Sequence, residues 1–315
     1  MIKIIENQSE IAAGTRGSSL GIGALKVVSQ TAKDGYFGKY PSIQIEHEND
    51  LLNHPTDFSF AKRIDGLVKV YNRTAEVIKD VYVRDLFPLV LSGDHACAGG
   101  TIAGIKSAFP NQRIGVIWID AHADIHTPYT TPSGNVHGMP LATALGEDNL
   151  EARVNNISKE TKGHWESLKN IGGISPKVNA EDIVYISVRD TEKPEDDYIS
   201  KHQIKNYTVN EVRSKGIQLI VGEIFDRLKD CDLLYVSFDV DSMDCILVSK
   251  GTGTPVENGL SADEAKGFMK HFAKEKKVKC IEFVEINPCL DDKVNRMAEA
   301  AYDILKVVTT EIENR

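Results

Sequence analysis

Six short runs of aliphatic and β-branched residues recur along this 315-residue chain: "IKIIE" (2–6), "LFPLVLSG" (86–93), "RIGVIWID" (113–120), "DIVYISV" (182–188), "LLYVSFD" (233–239) and "CIEFVEIN" (280–287). Most are nearly continuous in hydrophobicity rather than alternating, the pattern of strands buried on both faces of a parallel sheet. Parallel neighbours need long crossovers, and the segments between the runs have helical spacing. Residues 57–82 space Ile64, Leu67, Val68, Tyr71, Ala75 and Ile78 at helical intervals, and residues 96–109, 208–228, 261–275 and 292–313 read as further helices. Two of these open on capping boxes, Thr208 with Glu211 and Ser261 with Glu264. The alternation predicts an α/β fold with a mostly parallel, doubly wound sheet. No composition shift, linker or repeat divides residues 1–315, which read as one domain.

Chemistry-bearing residues gather where these strands end, the edge at which open α/β sheets bind ligands. "SGDHACAGG" (92–100) offers Asp94 and His95, "DAHADIHTP" (120–128) offers Asp120, His122 and Asp124, "SFDVDSMD" (237–244) offers Asp239 and Asp241, and "VEINP" (284–288) offers Glu285. In extended chain Asp120, His122 and Asp124 point the same way. Carboxylates crowded on one face repel, and desolvating them costs several kcal/mol unless a cation compensates. Four carboxylates with two imidazoles, taken as His95, Asp120, His122, Asp124, Asp239 and Asp241, carry four negative charges, the charge of two divalent cations. Oxygen-rich donors without thiolate suit Mn²⁺ better than structural zinc. Two such ions about 3.5–4 Å apart hold a bridging water and make hydroxide near neutral pH, so hydrolysis is the expected chemistry. Asp94 is expected to orient the loop that carries His95.

The formal net charge is −9 and the basic residues are scattered, which argues against nucleic acid and anionic membrane as partners. No apolar run reaches the ~18 residues a membrane-spanning helix needs, and "MIKIIENQSEIAAG" has no apolar core of a secretory signal. Cys97, Cys231, Cys245, Cys280 and Cys289 form no paired spacing and read as free thiols in a reducing cytoplasm.

The ordered motifs "GDHACAGG", "DAHADIHTP", "SGNVHGMP", "SFDVDSMD", "GTGTPVENGLS" and "VEINP", spanning residues 93–288, resemble the ureohydrolase superfamily. "TPYTTPSGNVHGMP" (127–140) resembles its arginase branch in particular. The resemblance implies a three-layer α/β/α fold and a homo-oligomer, commonly a trimer or hexamer. It implies two Mn²⁺ ions on the six ligands above and hydrolysis of L-arginine to L-ornithine and urea by a metal-bridging hydroxide. It makes Glu285 the partner of the substrate guanidinium, His137 a proton shuttle, and Asp124 both a metal bridge and a proton donor to the departing amine. Ser133 and Asn135 would hold the α-carboxylate, and Thr254 would lie along the substrate wall.

The chain departs from the arginase pattern in three places. His126 stands where the family has Asn as an α-carboxylate contact, and as a hydrogen-bond donor it is expected to bind substrate in that place. Cys245 follows Asp244 where the family has Pro, and the loop after it is one residue longer. The acidic residue that meets the α-amino group is expected within 189–198, where Glu192, Glu195 and Asp196 are candidates, Glu192 foremost. The alternatives are another ureohydrolase, acting on agmatine or another guanidino compound, and a noncatalytic arginase-like subunit.

Overall fold

The computed structural model describes residues 1–315. Eight strands form one sheet: β1 (Ile2–Asn7), β2 (Ser42–Ile45), β3 (Phe87–Ser92), β4 (Ile114–Ile119), β5 (Ile183–Ile186), β6 (Lys205–Tyr207), β7 (Leu233–Asp239) and β8 (Val278–Val284). Every neighbouring pair is parallel, in the order β2-β1-β3-β8-β7-β4-β5-β6. The six apolar runs are the six inner strands. The two strands without such a run, β2 and β6, are the sheet's edges, where the chain is partly exposed and a continuous apolar sequence is not needed.

Helices cover both faces, and the strand pleat feeds them alternately. Ile117 and Ile119 of β4 join one core; Val116 and Trp118 join the other. The first layer holds α1 (Gly21–Ala32), α2 (Tyr36–Lys39), α8 (Val209–Lys215), α9 (Ile217–Arg227), α10 (Ala262–Lys274) and α11 (Arg296–Glu313). The second holds α3 (Ile64–Val83), α4 (Cys97–Ala108), α5 (Pro140–Leu145), α6 (Lys159–Lys169) and α7 (Lys193–Lys201). The architecture is a three-layer α/β/α sandwich.

Both expected capping boxes form: the Glu211 amide donates to Thr208 Oγ1 (3.2 Å) and the Glu264 amide to Ser261 Oγ (3.1 Å). Three helix boundaries differ from the sequence reading. The segment 208–228 is two helices, because Gly216 (φ 81°, ψ 150°) turns the chain out of helical geometry between α8 and α9. The helix expected from residue 57 starts at Ile64, after Arg63 in a left-handed conformation (φ 59°), and the last helix starts at Arg296 after left-handed Asn295 (φ 62°). The acidic stretch 189–198 is not all loop. Pro194 and a Glu192–Glu195 capping box start α7 inside it.

The strand order places the site. β3, β8, β7 and β4 are consecutive neighbours at the centre of the sheet and point the same way. Their four carboxyl ends therefore open onto one edge.

Candidate metal centre

Each central strand delivers its polar residues through a sharp turn. After β3 the chain bends into α4, and Asp94 braces the bend: its Oδ1 accepts from the Ala96 amide (3.1 Å) and its Oδ2 from Ala12 (2.9 Å). This is the orienting role expected of it, and burial, then the charge of Glu285, pushes its carboxyl up to about 7. After β4 the chain does not stay extended. The His122 amide folds back onto Asp120 Oδ1 (2.7 Å) and Asp124 is left-handed (φ 50°). The three groups still converge, through a turn rather than through strand alternation. Glu285, after β8, is also left-handed (φ 66°) and is held by its amide bonding the Gly93 carbonyl (3.0 Å). Such backbone persists only where the surroundings over-determine it.

The donors meet at two points. His95 Nδ1 lies 3.0 Å from Asp120 Oδ2, 3.0 Å from Asp124 Oδ2 and 3.1 Å from Asp239 Oδ2. Despite these neighbours it has no hydrogen-bond partner, and it is fully enclosed. Its Nε2 pairs with Ser237 Oγ (2.7 Å), a hydroxyl that can accept from Nε2–H in the tautomer whose Nδ1 lone pair faces the carboxylates. The ring stacks on Trp118 (4.1 Å, 4°), whose Nε1–H donates to Asp120 Oδ2 (2.9 Å). At the second point His122 Nδ1 lies 3.1 Å from Asp241 Oδ2 and 3.4 Å from Asp120 Oδ1. Asp120 thus gives one oxygen to each group.

Atoms bound at about 2.1 Å in adjacent positions of an octahedral cation stand roughly 3.0 Å apart. The spacing around His95 Nδ1 is that spacing. Burial and then mutual repulsion push Asp124 and Asp239 above the usual carboxylate range; Asp241 is raised by burial and by Asp120 against the opposing pull of His122. An orphaned imidazole nitrogen inside a ring of repelling carboxylates fits a pair of cations. No cysteine joins either group; Cys97 and Cys245 are packed in the interior.

A cavity of about 230 Å³ opens above these residues, lined by polar and charged side chains together with Pro132 and Gly138. His137, on one wall, donates from Nδ1 to Glu285 Oε1 (3.2 Å), which also accepts the His95 amide (3.0 Å). Glu285 Oε2 is buried without a partner. Thr254 lines the cavity and donates to Asp241 Oδ2 (2.9 Å). Ser133 and Asn135 line the cavity as well, and the Ser133 hydroxyl accepts from the Asn135 backbone amide (3.2 Å).

His126, also in the lining, is committed to the protein, with Nδ1 on Thr130 Oγ1 (3.1 Å) and Nε2 on Glu192 Oε2 (2.5 Å). That last separation is too short for a cation between the two atoms, so the His126–Glu192–Glu195 group is hydrogen-bonded rather than metal-binding. The three acidic candidates separate cleanly. Glu195 reaches the cavity but is buried, with its carboxylate bonded to the amides of Ile125 (3.3 Å) and Glu192 (3.2 Å), and Asp196 accepts from Thr191 (2.7 Å) outside the lining. Glu192 lines the cavity with its side chain half exposed. Asp190, missed from sequence, lines it too, 3.6 Å from His122 Nε2. Its position just beyond β5 was the available signal. Arg189, also missed, ties the loops together by donating to the carbonyls of Asp241 (3.0 Å) and Val256 (3.0 Å).

A model described as the arginase family matches residues 9–310. The arginase of Brevibacillus brevis is 34% identical over 315 residues, covering 98% of this chain and 97% of its own. That of Bacillus caldovelox is 37% identical over 253 residues, covering 80% and 78%. Among solved structures, the native Bacillus caldovelox arginase aligns with a TM-score of 0.81 at 32% identity over 100% of this chain and 98% of its own. The Entamoeba histolytica arginase in complex with L-ornithine aligns with a TM-score of 0.81 at 26% identity, covering 98% and 97%.

Proposed function

The chain belongs to the arginase family, and from that premise we propose that it hydrolyses L-arginine to L-ornithine and urea at two divalent cations, Mn²⁺ in the native protein. His95, Asp120, His122, Asp124, Asp239 and Asp241 would hold them. The observation that carries the reading is His95 Nδ1, orphaned among three carboxylate oxygens at 3.0–3.1 Å. Manganese is favoured by that octahedral spacing and by the oxygen-rich donor set. When bound, the cations supply Lewis acidity and lower the pKa of water toward neutrality.

The rest of the work falls to the chain. Glu285 directs its unpartnered Oε2 at the guanidinium, whose planar fork of N–H donors suits a carboxylate. The two donors on Oε1 keep that carboxylate from rotating away. Asp124, whose Oδ1 makes no hydrogen bond within the chain, passes a proton to the departing amine. His137, at the cavity wall and partly exposed, relays protons between solvent and the site. Ser133 and Asn135 meet the α-carboxylate, Glu192 the α-amino group, and Thr254 bounds the substrate chain through its bond to Asp241. His126 contributes by holding Glu192 as well as by lining the cavity. A wall built mostly of polar and charged residues suits a substrate charged at both ends.

We read the protein as cytoplasmic from its five unpaired cysteines. We read it as a homo-oligomer, a trimer or hexamer as the resemblance implies. The exposed Ile246 and Leu247, on a loop whose Leu247 carbonyl accepts from Arg296, with exposed Val294 nearby in sequence, support a contact surface. The deciding assay is urea release by Mn²⁺-loaded protein from L-arginine and from agmatine, with a chelated control. Chelator-sensitive urea from arginine alone is expected. Urea from agmatine alone, or none from either with two metals bound, would overturn the assignment.

A further inference from the structure

We propose that Lys62 determines specificity by positioning Asn135, so that the site favours guanidino compounds bearing a carboxylate over those lacking one. The inference deepens the arginine-hydrolase reading and rests on it for the identity of the substrate.

Lys62 lies in the turn before α3, on a segment clamped to the cavity wall. Its amide donates to the Gly134 carbonyl (2.8 Å). Gly134 has φ +74°, and a β-carbon there would run into the Ser59 carbonyl, so segments 59–62 and 133–135 are locked together. From this fixed base Lys62 Nζ donates to Asn135 Oδ1 (3.1 Å).

An ammonium has donors and no acceptor, so it decides which way the amide faces. Oδ1 must turn to Lys62, which leaves Nδ2 as the free end. Nδ2 donates to no group of the protein, and Asn135 lines the cavity. Gly14 leaves room for it, because a β-carbon there would lie 2.7 Å from Nδ2. The cavity therefore meets an N–H donor at this position, the polarity a carboxylate requires.

Charge points the same way. No lysine or arginine lines the cavity, whereas Asp190, Glu192 and Glu195 do. Lys62, outside the lining, places its cationic end on Asn135, which belongs to the lining. Without it the amide is free to turn over and present Oδ1, which repels a carboxylate.

The test uses the full-length Mn²⁺-loaded protein with Lys62→Met, Lys62→Gln and Lys62→Arg. Steady-state urea release from L-arginine is measured together with calorimetric titration of L-ornithine and of putrescine, which lacks the carboxylate. For Lys62→Met, losing one charge-assisted contact is expected to raise KM for arginine and weaken ornithine about tenfold. Near-normal kcat and unchanged putrescine binding are expected, and Lys62→Arg should restore ornithine affinity. Lys62→Gln keeps a donor without the charge and carries the comparison should Lys62→Met fail to fold. Ornithine binding equal to wild type, equal weakening of ornithine and putrescine, or loss of kcat with KM unchanged would each overturn the proposal. Wild-type protein that releases no urea from arginine would sink the hydrolase reading instead, and the ornithine titration would still decide the role of Lys62.

Discussion

Glutamine at position 285 separates the charge of that side chain from its shape. Oε1 of Glu285 is held by the His95 amide (3.0 Å) and by His137 Nδ1 (3.2 Å), while Oε2 has no partner. In Glu285→Gln the amide oxygen must keep the position between the two donors, because the NH₂ group cannot accept from them. The NH₂ group then replaces Oε2 and confronts a guanidinium that has only N–H donors to offer. Hydrogen bonds to a charged partner are worth about 1.5–3 kcal/mol each, so losing the two N–H contacts that the two lone pairs of Oε2 can accept removes roughly 3–6 kcal/mol. At 1.36 kcal/mol per factor of ten, kcat/KM for L-arginine should fall by about 10²–10⁴. The fold should be untouched, since the backbone bond from the 285 amide to the Gly93 carbonyl (3.0 Å) does not involve the side chain. The assay pairs urea release with metal analysis and a thermal melt on the same preparation. Activity within tenfold of wild type with both metals bound would refute the guanidinium role. Activity lost together with the metals would refute it too, and would make Glu285 a brace for the His95 loop.

Two further perturbations test the support around the site and the cost of one buried charge. Trp118→Phe keeps an aromatic ring under His95 but removes the Nε1 donor to Asp120 Oδ2 (2.9 Å). Titration in metal buffers should show Mn²⁺ affinity lower by about 10–100-fold, and equal affinity would mean that Asp120 needs no such orientation. Lys177 is buried with its Nζ on the Lys169 carbonyl (2.5 Å), and burial pushes its ammonium down from 10.5 to about 8. Between those values the unfolded chain holds the proton that the folded chain has released, so stability rises with pH across the window, by about 3 kcal/mol in all. Denaturant melts from pH 7 to 10.5 should show that rise in wild type and lose it in Lys177→Met. Parallel pH profiles for the two proteins would mean that the charge is compensated.

Much of this was legible locally. Continuous apolar runs marked the inner strands because a strand buried on both faces has no side to spare for polar residues. The polar groups at their ends stood out against that background, as did the Thr208 and Ser261 caps. Other features left no such mark. β2 and β6 are short and lie at the edges, so they need no apolar run. The helix inside 193–201 begins on a glutamate cap, which resembles a solvated acidic loop until Glu195 is seen to be buried. His126 read as a free hydrogen-bond donor, yet both its ring nitrogens are engaged, one of them by Glu192 sixty-six residues away.

The sequence alone determined which residue types stand at strand ends and how periodic the chain between them is, because both are properties of a window a few residues wide. Tertiary structure decided which ends are neighbours. β3 and β4 are consecutive in the chain, but β8 and β7 fill the space between them, and only that order brings His95, Asp239 and Asp120 together around one nitrogen. Tertiary structure also decided that Asp124 and Glu285 adopt left-handed backbone, and that Lys62 stands behind Asn135. These outcomes depend on partners tens to hundreds of residues distant, and no local propensity encodes a contact whose energy exists only after the sheet has closed around it.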